Sequence, residues 1–135
     1  MDIQTQINNI LQLIRRHTHD NNETPAVAIK NLAITEYDNG SVATTYTIDW
    51  TKAPTQYVTL TGNTTFIFIG GIGGTHYTLH VAGAFTPTFP ASVRWTGGTT
   101  PAATATAGHK DIYTLIYSGK ESLYDILQSP NYAIT

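Results

Sequence analysis

Val42-Ala43-Thr44-Thr45-Tyr46-Thr47-Ile48 sets Val42, Thr44, Tyr46 and Ile48 at every second position, the spacing of side chains that share one face of a strand. The beat recurs. Val58 and Leu60, then Phe66 and Phe68, then Tyr77, Leu79 and Val81 repeat it. Between these runs lie Asp38-Asn39-Gly40, Gly62-Asn63, Gly70 to Gly74, Pro87 to Pro90, Gly97-Gly98, Gly108 and Ser118-Gly119, all rich in turn-forming residues. Asp111-Ile112-Tyr113-Thr114-Leu115-Ile116-Tyr117 is β-branched and aromatic throughout, as a central strand covered on both faces would be. The expectation is a mainly β chain, an antiparallel β-sandwich of jelly-roll type, with no helix after residue 20.

The N-terminus reads differently. Ile3, Ile7, Ile10 and Ile14 are spaced 4-3-4, one aliphatic stripe on a helix. With Ile7 and Ile14 at heptad position a and Ile3 and Ile10 at d, His17 falls on the next d. β-Branched residues at both core positions favour three or more strands over two, so the helix is expected to form a trimeric coiled coil. Two heptads are too short to hold an assembly alone, and the rest of the chain must share the association. The expected organisation is a trimerisation segment at 1–19, a polar junction at 20–26 ending near Thr24-Pro25, and a β-domain at 27–135.

Composition narrows the chemistry. Charged residues make up 12% of the chain, and Arg94 is the only one between Ala53 and Ala107, so the middle of the chain offers no carboxylate for acid/base work. Threonine numbers 24, which implies a hydroxyl-rich surface. A net charge of −2 gives no basic footprint for nucleic acid, and no apolar run reaches the ~20 residues of a membrane-spanning helix. Without cysteine there is no disulfide and no thiolate chemistry. No signal peptide is evident, and neither nucleic-acid binding nor membrane insertion is expected.

Four blocks in fixed order carry a resemblance: Ile48-Asp49-Trp50; Gln56 through Phe66, with Gly62-Asn63-Thr64-Thr65-Phe66 at its end; Val93-Arg94-Trp95-Thr96-Gly97-Gly98-Thr99-Thr100-Pro101; and Gly108-His109-Lys110-Asp111-Ile112-Tyr113 with Ser118-Gly119. Over about residues 42–119 they resemble a β-domain common in bacteriophage virion proteins, of the tail-fibre, baseplate or spike kind. His17-Thr18-His19-Asp20 with Thr24-Pro25 is similar to the His-x-His-Asp-Gly-x-x-Ser-Pro junction between a trimerising helix and the β-part of phage tail proteins. Here Asn21 replaces the glycine and Thr24 the serine. The resemblance implies a homotrimer on the virion surface, made in the host cytoplasm. It would contact other virion proteins and contribute to architecture or attachment to a host-surface glycan or protein. It does not imply catalysis.

Some phage spikes hold iron through a His-x-His pair, which makes His17 and His19 the candidate metal ligands, six imidazoles around a threefold axis if the backbone there is extended. The alternative role is capping the C-terminal end of the helix, with Arg15 and Arg16 answering its dipole. No other cofactor is expected. Trp95 with Tyr113, Tyr117, Tyr124 or Tyr132 is the candidate aromatic platform for a glycan, against packing in a core or subunit interface, and Trp50 is placed in the core. Asp111, Glu121 and Asp125 are the carboxylates a glycan-degrading alternative would need, with no spacing that favours it. His76 and His80 are expected on a solvated strand face, and His109 in an exposed turn. Gly70-Gly71-Ile72-Gly73-Gly74 has no following Lys-Ser/Thr and reads as a flexible hairpin loop.

Overall fold

The structure, a computed structural model, describes residues 2–19 and 35–135, with helix side chains described through Leu11. The chain divides into two units, Met1–Leu32 and Ala33–Thr135. In the first, helix α1 spans Ile3–His19. Asp2 starts it: its Oδ1 accepts the Thr5 N–H at 2.7 Å, satisfying one of the donors a helix start leaves without an intrahelical partner. Ile14, His17 and His19 have side chains outside the described residues, as does the whole 20–26 junction.

The second unit is β throughout: β1 Glu36–Asp49, β2 Thr55–Ile69, β3 His76–Ala82, β4 Pro87–Thr88, β5 Val93–Trp95, β6 His109–Ser118 and β7 Leu123–Ala133, with a 3-10 turn at Thr96–Gly98. One sheet runs in the order β1-β2-β3-β6-β7-β5, and β4 pairs with β2. The expectation of a wholly antiparallel sandwich is corrected: β1-β2, β2-β3, β2-β4 and β5-β7 are parallel, and only β3-β6 and β6-β7 are antiparallel.

A parallel pair ordinarily needs a crossover of about a dozen residues or more, yet only residues 50–54 separate β1 from β2. The long strands resolve this by bending in the middle. The first half of β1 pairs with the first half of β2, Glu36 beside Thr55 and Val42 beside Leu60; the second half pairs with the second half, Thr44 beside Thr64 and Asp49 beside Ile69. Each strand is therefore most of one circuit, and its own second half is the crossover. Circuits stack with partners at 36, 55 and 78 on one side and 44, 64 and 87 on the other.

The bends have local causes. Thr44 adopts φ +62, a region a β-branched residue seldom enters, and the pairing of β1 with β2 slips between Val42 and Thr44. Thr44 is thereby thrown outward, although strict alternation predicts it inside with Val42 and Ile48. Beneath it lies Gly62, where an added Cβ would come within 3.2 Å of Ala43 Cβ. Gly83, at φ +110, lies so close to Leu60 that a Cβ would run into that residue's carbonyl oxygen. The signals at Asp38-Asn39-Gly40 and Gly62-Asn63 thus mark a bulge and a bend inside strands rather than hairpin turns.

Between the two halves of the circuits sits the core. Val42, Ile48, Val58, Leu60, Phe66, Leu79, Val81, Leu115 and Ile126 are all buried, each stabilising the fold by roughly 1.5–3 kcal/mol for the larger side chains. Asp111–Tyr117 forms the body of β6, flanked by β3 and β7, the internal position its composition suggests, but its residues alternate: Tyr113 and Leu115 are buried, Thr114 and Ile116 exposed.

One buried amide closes the first circuit. Gln56 is fully buried, and its Nε2 donates to the carbonyl oxygens of Asp49 at 2.7 Å and Ala53 at 3.0 Å, while its Oε1 accepts from Asn39 Nδ2 at 3.0 Å. Asn39 Oδ1 in turn accepts the Tyr46 hydroxyl at 3.1 Å. Asn39 near the start of β1 and Asp49 at its end are both tied to Gln56 at the start of β2, and Tyr46 joins the second half of β1 to Asn39. Replacing Gln56 with Leu removes the hydrogen bond to the buried Ala53 carbonyl, one of the two donors to the Asp49 carbonyl and one of the two acceptors of Asn39 Nδ2, and is expected to cost about 2–4 kcal/mol in urea unfolding. A loss below about 0.5 kcal/mol, the scatter of surface substitutions, would show that the amide does not hold the circuit.

Candidate functional site

On α1 the aliphatic stripe lies open: Ile3 is 75%, Ile7 44%, Ile10 58% and Leu11 46% exposed. Side chains three and four apart on a helix are neighbours, so Ile3, Ile7 and Ile10 form a continuous ridge. Gln4 and Asn8, whose side chains hydrogen-bond at 3.3 Å, occupy other heptad positions.

Helical backbone reaches His17 and His19. Their side chains lie outside the described residues. Among the described residues no group of three or more His, Asp or Glu could hold a metal ion.

Of the candidate platform tyrosines, Tyr132 is exposed, Tyr117 is half-buried and the other two are enclosed. Tyr113 is 2% and Tyr124 4% exposed, so neither presents a face to a sugar. Trp95 is half-buried and packs edge-on against Phe89, ring centroids 5.2 Å apart, with Tyr113 behind it. Trp50 is core, as expected, tilted against Tyr77 at 4.6 Å and edge-on to Phe68 at 5.5 Å. Its indole nitrogen is shut off from water and finds no partner of ordinary geometry among the described residues; the Tyr124 hydroxyl is the polar group turned toward it. Burial, then the neighbouring Tyr117 and Tyr77, push the Tyr124 hydroxyl up to about 12.

The glycine loop 70–74 is held against these rings. A Cβ on Gly71 would collide with the Tyr124 hydroxyl and crowd the Tyr117 ring, Gly73 lies against Gly119, and the Ile72 N–H donates to the Tyr77 hydroxyl at 2.9 Å. The expected flexible loop is thus a packed one, and its glycines serve close approach.

Of the three carboxylates, two share one cation. Arg94 Nε and Nη2 donate to Asp125 at 2.7 and 3.1 Å, while Nη1 and Nη2 donate to Glu121 at 3.1 and 2.8 Å. The Arg94 hydrogen bonds hold both carboxyls below their usual range. A glycosidase general acid needs the opposite shift. Asp111 is buried on its own: it accepts hydrogen bonds from the Thr104 hydroxyl and N–H, the Asn131 N–H at 3.0 Å and Gln128 Nε2 at 2.9 Å, with the Tyr113 hydroxyl at 3.4 Å. Burial pushes its carboxyl up, but these donors outweigh it and hold the group below the ordinary value. Its work is to pin the 99–107 segment to the β6-β7 pair.

The outer face of the sheet holds a cluster absent from the sequence reading. Cross-strand partners Tyr57 and His80 stack with ring centroids 5.8 Å apart, Lys110 Nζ lies 3.0 Å from His80 Nδ1, and the same ammonium stands 5.4 Å from the Tyr57 ring centroid. An ammonium only donates, so the imidazole is neutral with its proton on Nε2. His76 and His80 share this face, and among the described residues it is His80 that meets a cation; the parallel pairing that brings Tyr57 beside it was not legible in the sequence.

No protein-family model, curated protein or solved structure matches the chain.

Burial, then Lys110, lower the His80 pKa from its ordinary 6.5, while Glu36 opposes them. The unfolded chain therefore binds this proton more readily. The resulting stability is fully present above pH 6.5 and declines as pH falls from there toward the lower folded value. The melting temperature is expected to drop over that interval, and His80→Gln should flatten the slope; an unchanged slope in the variant would assign the pH dependence elsewhere.

Proposed function

We propose that the protein is a non-enzymatic homotrimeric virion component, α1 joining three copies and the β-domain supplying the surface for architecture or host attachment. The observation that carries this reading is the exposed ridge of Ile3, Ile7 and Ile10 at heptad a and d positions, apolar area that a helix in water retains only at a cost. The phage-like order of sequence blocks supplies the setting. The near absence of charge from 53 to 107 fits a domain that works by surface contact rather than by acid/base chemistry.

The bidentate hold of Arg94 on both Glu121 and Asp125 weighs against the glycan-degrading alternative, because neither carboxyl is poised to donate a proton. A glycan-binding role would rest on the half-exposed Trp95 and on the hydroxyl-rich outer strands, since Tyr113 and Tyr124 are enclosed.

Light scattering at micromolar concentration tests the assembly. A mass three times that of the 14.7 kDa chain is expected, with Ile10→Asp giving monomers whose β-domain still melts cooperatively. A monomeric wild-type chain would reject the trimer. Capsid or tail genes beside the coding sequence are the expected neighbourhood, and release of oligosaccharide from host-surface polysaccharide would reject the non-enzymatic reading.

A further inference from the structure

Asn39 is followed by Gly40, the residue that least obstructs attack of a backbone nitrogen on the preceding side-chain amide. The dipeptide lies inside β1, on the outermost strand of the sheet, at the bulge where the pairing with β2 slips between Asp38 and Ser41. Three hydrogen bonds immobilise the Asn39 amide: Nδ2 donates to Gln56 Oε1 at 3.0 Å and to the Tyr57 carbonyl at 3.2 Å, and Oδ1 accepts from the Tyr46 hydroxyl. The attacking nitrogen is also engaged, since the Gly40 N–H donates to Asp38 Oδ1 at 2.8 Å. In the folded chain both reacting groups are held by other partners.

We propose that Asn39 is a latent site of spontaneous deamidation, locked by this clamp and released when the β1 edge opens. In the open chain the Gly40 nitrogen gives up its proton and bonds to Asn39 Cγ. The Cγ–Nδ2 bond breaks and ammonia leaves with that proton, forming a cyclic imide. Water then adds to either imide carbonyl, opening the ring to aspartate or to isoaspartate. Neither product can restore the clamp. A carboxylate at position 39 has no N–H for Gln56 Oε1 or for the Tyr57 carbonyl, and it adds a negative charge beside Asp38 on the strand that also carries Glu36. Isoaspartate also lengthens the backbone where the pairing with β2 is already displaced. Opening of the edge, otherwise reversible, becomes permanent.

The test follows the mass of the Asn39-containing peptide in the full chain held at pH 8 and 37 °C, with isoaspartate detected by enzymatic methylation. Conversion in the folded protein is expected to be at least about tenfold slower than in the same protein unfolded in urea, because loss of the clamp gives the modification access. Tyr46→Phe should accelerate it about fivefold in the folded state, as expected from losing one net hydrogen bond. Subdenaturing urea provides a second measurement if the variant folds poorly: the wild-type rate should climb with denaturant before global unfolding. Equal rates in folded and unfolded protein, no acceleration by either route, or no conversion at Asn39 in urea would each overturn the proposal.

Discussion

A buried side-chain amide, Gln56, bonds to both sides of the return that closes the first circuit of this chain. Bending a strand so that it becomes its own crossover puts a tight return at residues 50–54, with the Asp49 and Ala53 carbonyls turned toward one buried side chain. Gln56 Nε2 answers Asp49 and Ala53 together. Its oxygen is satisfied by Asn39, which in turn is satisfied by Tyr46, so the polar chain is complete. A complete buried polar network specifies one arrangement, whereas an incomplete one would be a penalty without compensation. The neighbouring circuits take their alignment from the first, because Thr55, Thr78 and Thr114 follow from Glu36 strand by strand.

The same economy appears at the other end of the domain, where irregular backbone is held by groups that share several partners. Asp111 gathers the 99–107 segment and the end of β7, while Arg94 ties β5 to Glu121, in the turn before β7, and to Asp125 within it. Because these anchors are few, the long low-charge stretch can present threonine outward without losing its shape.

The alternation at 58–60 and 77–81, the core residues there and the isoleucine ridge were legible because period two and period 3.6 are properties of local sequence, whereas the slip at Thr44 was not. Strand direction was not. An exposed outer face and regularly spaced turn residues look alike whether the next strand runs back beside its neighbour or circles round to run parallel. The glycines misled for a related reason: Gly62 and Gly83 permit backbone to stack on backbone, and Gly71 permits approach to a tyrosine, but a sequence records only that the side chain is missing. The Tyr57, His80 and Lys110 cluster and the pairing of Arg94 with two distant carboxylates depend on that unread topology.

Stacked circuits impose a rule on how such a chain can change length. Removing one residue from the first half of β2 would turn Gln56, Val58 and Leu60 from inside to outside, so single-residue deletions there should be purged. Inserting an entire circuit of about twenty residues between bends would leave every inward position inward and add one more layer to the pile. Descendants of this sequence are accordingly free to grow in discrete steps along the stacking direction, with β6, β7 and β5 left as the fixed far end of the sheet.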